Sequence, residues 1–365
     1  MKYIYDYSNK ELHKKNIKWY WNTYVLRKPF PLSSSIFITN KCNFRCRFCN
    51  VWKSEESDYM EYDTFTKIVD YLSKTDYWLK VLGGEPFVNP DFPKYIDYMS
   101  NKFKYTNIVT NGSLVTEKVL RKIKNPPSNI SISIDSLGTK HDLNRNFPGA
   151  YDLAIKAIYS AKKIIPKTHI TIPAVIEPGT IDETRKVFDY AKKNGCGVIT
   201  IPIRRPIDPT YATSIKSKPY YKNYSKKDLV NYAKFMLEIA QDPVCENTEE
   251  CLLLSFLYFI GKQSFLQKDK NCYVPLFEME FNYRGEAFPC VYGLHWRGGI
   301  SIHDPEFERK YYSLSVKNSK QCRYCTHDVI NMDERACFPY HIYFQTKYHR
   351  LELLQELYDF IDHNK

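Results

Sequence analysis

The sequence predicts an α/β fold: a parallel sheet curled into a partial barrel of six strand–helix units, followed by a small cysteine-rich domain. Two observations support this prediction. Short runs rich in Ile, Val, Thr and aromatic residues alternate with longer amphipathic stretches between about residues 34 and 203. The cysteines also fall into an early group and a late group. Alternation of this kind is typical of parallel sheets with right-handed crossover connections.

Each predicted strand is an apolar run bounded by turn-forming or polar residues. The predicted strands cover residues 35–40, 78–82, 105–110, 130–135, 168–176 and 198–203. The predicted helices cover residues 62–74, 93–102, 117–124, 151–164 and 181–193. Thr180 with Glu183, and Ser225 with Asp228, have capping-box spacing, so helices should begin there, the second running to about residue 241. A closed barrel of eight units is the alternative architecture.

The composition is that of an ordinary globular protein. The 365 residues are 43% hydrophobic and 26% charged, with a net charge of +12. The lysines are spread along predicted helices, as on a solvated surface, and they could also attract an acidic electron-donor protein, an acidic peptide or an anionic substrate. No nucleic-acid partner is expected, because the sequence contains no recognised RNA-binding motif. The longest apolar run, 251–260, is too short to span a bilayer and predicts a buried helix. Eleven cysteines without a secretory signal favour metal or cluster ligation in a reducing cytoplasm.

Cys42, Cys46 and Cys49 form the most informative motif of the chain. They lie directly after the first predicted strand and are separated by three and then two residues. Three thiolates with this spacing can ligate three irons of a 4Fe–4S cluster and leave the fourth iron open to a small molecule. The alternatives are three incidental thiols or half of a zinc site, and the sequence offers no fourth ligand near this loop.

The turn Gly83-Gly84-Glu85-Pro86 follows the second predicted strand. Its glycines allow a backbone to approach a ligand closely, and Glu85 offers an acceptor for an ammonium group. Further polar residues follow the third and fourth predicted strands. Because the carboxyl ends of parallel strands meet at one rim, all of these residues should gather beside the cysteine loop.

The cysteine loop and the Gly-Gly-Glu-Pro turn together resemble the radical S-adenosylmethionine (SAM) superfamily. The resemblance implies a 4Fe–4S cluster on the three cysteines, SAM chelated by the open iron, and an electron from flavodoxin or ferredoxin that releases a 5′-deoxyadenosyl radical. The residues implied to contact SAM are Phe48, Gly83, Gly84, Glu85, Pro86, Asn111, Ser133, Asp135 and Arg145. Phe48 would stack on adenine and Glu85 would bind the methionine amino group. Ser133 and Asp135 could instead cap the next segment, and Arg145 could form a surface ion pair.

The last third of the chain contains a second cysteine set, Cys272, Cys290, Cys322 and Cys325. A wide pair and a tight pair of thiolates can hold either zinc or an iron–sulfur cluster. Behind a radical SAM core, the set resembles the twitch form of the SPASM extension, which implies one auxiliary 4Fe–4S cluster. Cys337 follows Cys325 by twelve positions, so a second auxiliary cluster is not expected, although Cys337 could replace one ligand.

The predicted organisation is an N-terminal extension (1–33), a radical SAM core (34–215), a helical linker (216–270), a twitch-like domain (271–340) and a C-terminal helix (341–365). The resemblance implies an oxidoreductase or maturase that oxidatively modifies a peptide or protein, with the auxiliary cluster as electron acceptor. One alternative is a radical SAM dehydrogenase or related enzyme acting on a sugar, cyclitol or lipid. A remote alternative is a zinc-stabilised nucleic-acid-binding protein. The sequence assigns no catalytic acid or base.

Overall fold

The computed structural model describes residues 14, 17–49, 51–54, 58–75, 78–203, 224–247, 252, 255–256, 259, 274–289, 298–321 and 347–364. The late cysteines Cys272, Cys290, Cys322, Cys325 and Cys337 lie outside these residues. The auxiliary cluster and the domain limits therefore stay predictions.

The described strands form a single sheet. They are β1 (Ser33–Phe37), β2 (Trp78–Leu82), β3 (Tyr105–Thr110), β4 (Asn129–Ile132), β5 (His169–Ile176), β6 (Gly197–Pro202), β7 (Glu278–Phe281), β8 (Glu286–Phe288) and β9 (Ile300–Ser301). Their order in the sheet is β6-β5-β4-β3-β2-β1-β7-β8-β9. Strands β1 to β6 are parallel and each pairs with its neighbours in sequence. The six predicted strand–helix units are confirmed, and the described sheet is open, not a closed eight-unit barrel.

Strands β7 to β9 were not predicted from the sequence. Strand β7 pairs in parallel with β1, and β8 and β9 then continue the sheet in antiparallel fashion. Gly285 lies in the turn between β7 and β8 with a φ of 77°, where its N–H donates to the Asn282 carbonyl at 2.9 Å. Strands of two to four residues leave little periodicity, which is why the alternation of apolar residues did not reveal them.

Helices cover the sheet between the strands. They are a π-helix (Trp21–Leu26), α1 (Tyr62–Leu72), α2 (Phe92–Lys102), α3 (Glu117–Leu120), α4 (Thr139–Arg145), α5 (Ala150–Ile164), α6 (Ile181–Lys193), α7 (Lys226–Ala240), α8 (Val274–Phe277), α9 (Phe307–Gln321) and α10 (Lys347–Asp362). Helix α1 illustrates why they form, since Phe65, Ile68, Val69 and Leu72 make one buried stripe at helical spacing. The described part of the chain contains no helix long and apolar enough to cross a membrane.

Both predicted helix starts are confirmed, but the two predicted capping boxes had different outcomes. The Ser225–Asp228 capping box is confirmed: the Asp228 N–H donates to the Ser225 hydroxyl at 3.1 Å, and the Ser225 N–H donates to the Asp228 carboxylate at 3.3 Å. The box predicted from Thr180 to Glu183 is wrong. It lies one turn earlier, between Glu177 and Thr180, because a 3₁₀ turn (Pro178–Thr180) precedes α6 and takes the cap.

Other features of the helices agree less closely with the sequence. Helix α4 was not predicted from the sequence. It begins at Thr139, directly after Gly138. Helix α3 ends at Leu120, four residues before its predicted end. In the apolar run 251–260, the described residues are helical and buried, as predicted; these are Leu252, Ser255, Phe256 and Phe259.

Candidate active site

The cysteine loop follows β1 at the carboxyl end of the parallel strands. Cys46 is buried, and Cys42 and Cys49 are half-buried in one apolar cluster with Phe44 and Phe48. Burial raises the pKa of the Cys42 thiol to about 11 and that of Cys49 to about 12, and it also raises the pKa of Cys46. Metal ligation requires thiolates, so cluster assembly here releases protons.

The chemistry of the three thiols suits the ligation of an iron–sulfur cluster. Among the described residues, no three His, Cys, Asp or Glu side chains are placed to hold one metal ion. Sulfurs that share one tetrahedral zinc at about 2.3 Å lie about 4 Å apart. In a 4Fe–4S cluster each thiolate binds a different iron, so the sulfurs can lie farther apart. Three thiols on one loop, each binding a different iron, would leave one iron of such a cluster open.

The Gly-Gly-Glu-Pro turn lies directly against the cysteine loop. The Gly84 N–H donates to the Thr39 carbonyl, and the Glu85 N–H donates to the Lys41 carbonyl, both at 2.8 Å. A Cβ on Gly83 would lie 2.3 Å from the Thr39 oxygen, and one on Gly84 would lie 2.1 Å from the Lys41 oxygen. Glycine is therefore needed at both positions, because the backbone at Thr39 and Lys41 passes too close to leave room for a Cβ. The contact of the two glycines with SAM stays a prediction.

Glu85 fastens this turn to the end of β3. Its side chain is 0% exposed and caps the 3₁₀ turn Pro86–Val88 by accepting the Phe87 N–H at 3.1 Å. The same carboxylate accepts the Thr110 hydroxyl at 2.7 Å and the Asn111 N–H at 2.6 Å. Burial nevertheless raises the pKa of Glu85 to about 7. These contacts give Glu85 a structural role at the rim, and its binding of an ammonium group stays a prediction.

Asn111 connects the end of β3 to the cysteine loop. Its amide donates to the Asn43 oxygen at 2.9 Å, the Asn43 amide donates to the Ser113 hydroxyl at 2.8 Å, and Ser113 donates to the Asn111 oxygen at 2.6 Å. This closed triangle fixes the backbone next to Cys42. Asn43 was missed by the sequence analysis because nothing local shows that its partners lie about seventy positions away.

Asp135 and Arg145 form a buried bidentate ion pair. They are 4% and 8% exposed, and the Arg145 Nε and Nη2 atoms each lie 2.8 Å from an Asp135 oxygen. Asp135 also accepts the Val175 N–H at 3.0 Å, which joins the end of β4 to β5. The sequence analysis considered a surface ion pair for Arg145. An ion pair does form, but the prediction that it lies at the surface is wrong. The pair is inside the protein because α4 lays Arg145 across the end of β4.

Arg145 also reaches the cysteine loop. Its Nη1 atom lies 4.0 Å from the Cys46 sulfur, and its guanidinium carbon lies 5.2 Å from the centre of the Phe48 ring. Ser133 is half-buried just beyond β4, where its N–H donates to the Thr110 carbonyl at 3.1 Å. The structure thus brings most predicted SAM-contacting residues to the rim that carries the three thiols.

His141 is a buried residue that the sequence analysis missed. It is 0% exposed, and its Nδ1 atom accepts the Asp135 N–H at 3.1 Å and lies 3.7 Å from the Asp135 carboxylate. Burial, and then the charge of Arg145, lowers the pKa of His141 to about 4, so the ring is neutral at pH 7. Because Nδ1 accepts, the proton resides on Nε2. His141 and Arg145 are four residues apart, so a prediction of helix α4 would have placed them on one face.

A second contact that was not predicted from the sequence joins the cysteine loop to the end of β5. Arg47, within the cysteine loop, lies 2.7 Å from the Glu177 carboxylate at the end of β5. Tyr224 donates to the other Glu177 oxygen at 2.8 Å, and the Arg47 N–H donates to the Asn144 carbonyl at 3.0 Å. The cysteine loop is thereby bound to β2, β3, α4 and β5 at once, which holds the three thiols in a fixed frame.

Further polar residues are buried within the sheet, nearer the starts of the strands. Asn129 donates to the Asn107 oxygen at 2.9 Å, and the Thr171 hydroxyl lies 3.1 Å from the Asn129 oxygen and 2.8 Å from Glu246. Glu246 in turn contacts His169, which is partly exposed. This network satisfies polar side chains that would otherwise destabilise the interior.

The fold and the site define an α/β partial barrel with a three-thiol centre at its rim. The radical SAM superfamily profile matches residues 36–191, which include every element of that centre. An uncharacterized protein of Methanocaldococcus jannaschii is 35% identical over 300 residues, covering 78% of this chain and 92% of that protein. The chain belongs to the radical SAM superfamily, and it is an enzyme of that class.

Two further similarities concern a bacteriocin biosynthesis protein and a protein crystallised with a precursor peptide. The antilisterial bacteriocin subtilosin biosynthesis protein AlbA of Bacillus subtilis (strain 168) is 31% identical over 135 residues, which are 36% of this chain and 30% of AlbA. The matched region is thus less than a third of AlbA. The crystal structure of Streptococcus suis SuiB bound to precursor peptide SuiA superposes with a TM-score of 0.60 at 17% identity, covering 87% of this chain and 72% of SuiB. At that identity, the likeness shows the fold alone.

Proposed function

We propose that this enzyme cleaves SAM reductively and uses the resulting 5′-deoxyadenosyl radical to oxidise a peptide or protein. The supporting observation is the three-thiol loop, which is hydrogen-bonded to the Gly-Gly-Glu-Pro turn at the rim of a radical SAM core. A 4Fe–4S cluster on Cys42, Cys46 and Cys49 would supply the electron that splits SAM. Reduced flavodoxin or ferredoxin is the proposed donor of that electron.

The residues around the thiols suit the binding of a charged cofactor beside an apolar cluster. Phe44 stacks on Phe147 with ring centres 4.4 Å apart in the cluster that contains the thiols, which excludes water from them. Phe48 and Arg145 offer an aromatic face and a cation for SAM. Asn111, Ser133 and Asp135 then follow β3 and β4 at the same rim, where they would orient the ribose and carboxylate.

The late cysteines would hold an auxiliary 4Fe–4S cluster; they are Cys272, Cys290, Cys322 and Cys325. Such a cluster would supply an acceptor for one electron; the substrate would also lose one hydrogen atom to the deoxyadenosyl radical and one proton to solvent. The net change is the loss of two hydrogens from the substrate. The described hairpin of β7 and β8 lies between Cys272 and Cys290 in the sequence, and its strand β7 pairs with β1.

The proposal of a peptide substrate is supported by the relatives. AlbA is a biosynthesis protein of the bacteriocin subtilosin, and SuiB is bound to a precursor peptide in its crystal structure. The test is formation of 5′-deoxyadenosine by the reconstituted enzyme with peptides encoded beside its gene, compared with sugars, cyclitols and lipids. The proposal expects stimulation by a peptide that loses two hydrogens. Stimulation by a small molecule alone would contradict it.

A separate experiment tests the auxiliary cluster. The variant Cys42→Ala/Cys46→Ala/Cys49→Ala, reconstituted without oxygen, should retain about four irons and a brown colour. Zinc without iron would make the late cysteines a structural site, and the electron-acceptor role would have to be abandoned. Zinc together with salt-dependent binding of RNA or DNA would favour the nucleic-acid-binding alternative.

A further inference from the structure

A groove of about 870 Å³ lies on the outside of the barrel. Its walls are the C-terminal end of the π-helix, one side of α1, and the segment that leads into α9. Its floor includes Leu26, Tyr71 and Phe307, and the rings of Tyr71 and Phe307 meet edge to face at 5.2 Å. We call this feature the basic groove, because basic side chains dominate its walls.

Five basic and three acidic side chains line the basic groove. Two of the acidic ones are already neutralised: Asp70 lies 2.7 Å from Lys102, and Glu306 lies 2.6 Å from Arg309. No ion pair joins the basic residues Arg27, Lys28, Lys67 and Lys74 to a carboxylate within the described part of the chain. Lys67 Nζ also lies 3.3 Å from His303 Nδ1, and Glu308 offsets part of the charge. The five basic side chains still outnumber the three acidic ones, so the groove has an excess of positive charge.

Tyr71 contributes its aromatic ring to the lining of the basic groove. Its hydroxyl oxygen is enclosed and has no hydrogen-bond partner among the described residues. Burial, with a contribution from the charge of Glu308, raises the pKa of Tyr71 well above its usual value, so the side chain is neutral. A bound chain would therefore contact the apolar ring and not the hydroxyl.

The basic groove is distant from the catalytic rim. Helix α1 begins at Tyr62, just after the cysteine loop, and runs away from the rim to Leu72. At 1.5 Å per residue, its two ends are about 15 Å apart. The residues that α1 contributes to the groove begin at Thr66 and continue past the C-terminal end to Lys74. A ligand in the groove would thus bind without reaching the reacting atoms.

We propose that the basic groove docks an acidic and partly apolar segment of the peptide substrate, outside the part that reacts. This inference rests on the proposed function. Carboxylates of the segment would meet Arg27, Lys28, Lys67 and Lys74, and its apolar side chains would cover the floor. Charge complementarity of this kind sets both partner choice and association rate. A distal site also holds the substrate while its reactive residue enters the rim.

The test measures fluorescence anisotropy of a labelled peptide with the repeat Glu-Leu-Leu-Glu, added to the reconstituted full chain. Lys28→Glu/Lys74→Glu reverses two exposed charges of the groove. The matched control, Lys118→Glu/Lys122→Glu, reverses two exposed charges elsewhere. We expect binding about tenfold weaker in the groove variant and unchanged in the control. The same peptide with Lys in place of Glu should not bind.

Uncoupled cleavage of SAM by dithionite separates this inference from the proposed function. Cleavage should be equal in the wild type and both variants. Equal peptide binding by the two variants, or no binding by the wild type, would overturn the docking site even if cleavage is normal. If the groove variant binds flavodoxin more weakly but binds the peptide normally, the peptide-docking proposal is also overturned. The groove would then be a binding site for the electron donor. Failure of the wild type to cleave SAM would refute the proposed function instead.

Arg27 provides a second variant, at a position whose backbone conformation glycine can adopt without strain. It has a φ of 54° and a ψ of 44°, a left-handed conformation that glycine adopts more easily. Arg27→Gly should therefore raise the unfolding temperature while it weakens binding of the Glu-Leu-Leu-Glu peptide. A variant that is more stable and binds as tightly as the wild type would count against the docking site.

Discussion

The buried Asp135–Arg145 ion pair allows a quantitative prediction of how a substitution changes the free energy of unfolding. Replacing Arg145 by Met keeps most of the side-chain volume but leaves the Asp135 carboxylate charged and buried. Both charges are at least nine-tenths buried and joined by two contacts of 2.8 Å. Removing one partner of such a pair destabilises proteins by about 3–5 kcal/mol, because the other charge loses its compensation. We expect Arg145→Met to lower the free energy of unfolding by this amount.

A double-mutant cycle checks the reasoning. Asp135→Asn removes the carboxylate charge and keeps an oxygen for the Val175 N–H. Urea unfolding of the reduced, cluster-free proteins gives the free energy for the wild type, both single variants and the double variant. The double variant should be less destabilised than the sum of the single variants by more than about 1 kcal/mol. Additivity within about 0.5 kcal/mol would refute an energetically coupled pair.

Three further predictions follow from other contacts. Burial raises the pKa of Glu85 from 4.5 to about 7, so the folded protein binds this proton more tightly than the unfolded chain does. The resulting stabilisation is fully present below pH 4.5 and is lost as the pH rises to 7. The loss is about 3 kcal/mol, and Glu85→Gln should flatten that part of a plot of unfolding free energy against pH. Gly84→Ala places a Cβ 2.1 Å from the Lys41 oxygen and should sharply lower the iron content after reconstitution, whereas Gly179→Ala, with open space around its Cβ, should not. Ser225→Ala removes the cap of α7 and should lower the unfolding free energy by about 1 kcal/mol, measured in urea.

The fold was predictable from the sequence where the signal is local. The bounds of β2 and β3 match the prediction residue for residue, since each is a short run rich in aromatic, aliphatic or Thr residues that is ended by a Gly-containing turn. Parallel topology then places whatever follows each strand at one rim. That rule alone is enough to predict that Glu85, Asn111 and Asp135 lie beside the cysteine loop.

The contacts that fix the site were not predictable in the same way. Arg47 and Glu177 are 130 positions apart, and nothing near either residue indicates the other. His141 and Arg145 act together only because α4 exists, and a seven-residue helix gives little periodicity. The glycines of the Gly-Gly-Glu-Pro turn were assigned to a ligand, whereas the structure shows that they already make room for the cysteine loop.

The central claim is that the thiols of Cys42, Cys46 and Cys49 support reductive cleavage of SAM. The most direct measurement is the yield of 5′-deoxyadenosine from the anaerobically reconstituted protein with SAM and dithionite. The wild type should form it, as should Cys196→Ala, which removes a buried thiol outside the site. Cys46→Ala should form none. Equal yields from Cys46→Ala and the wild type, or no product from the wild type, would contradict the claim.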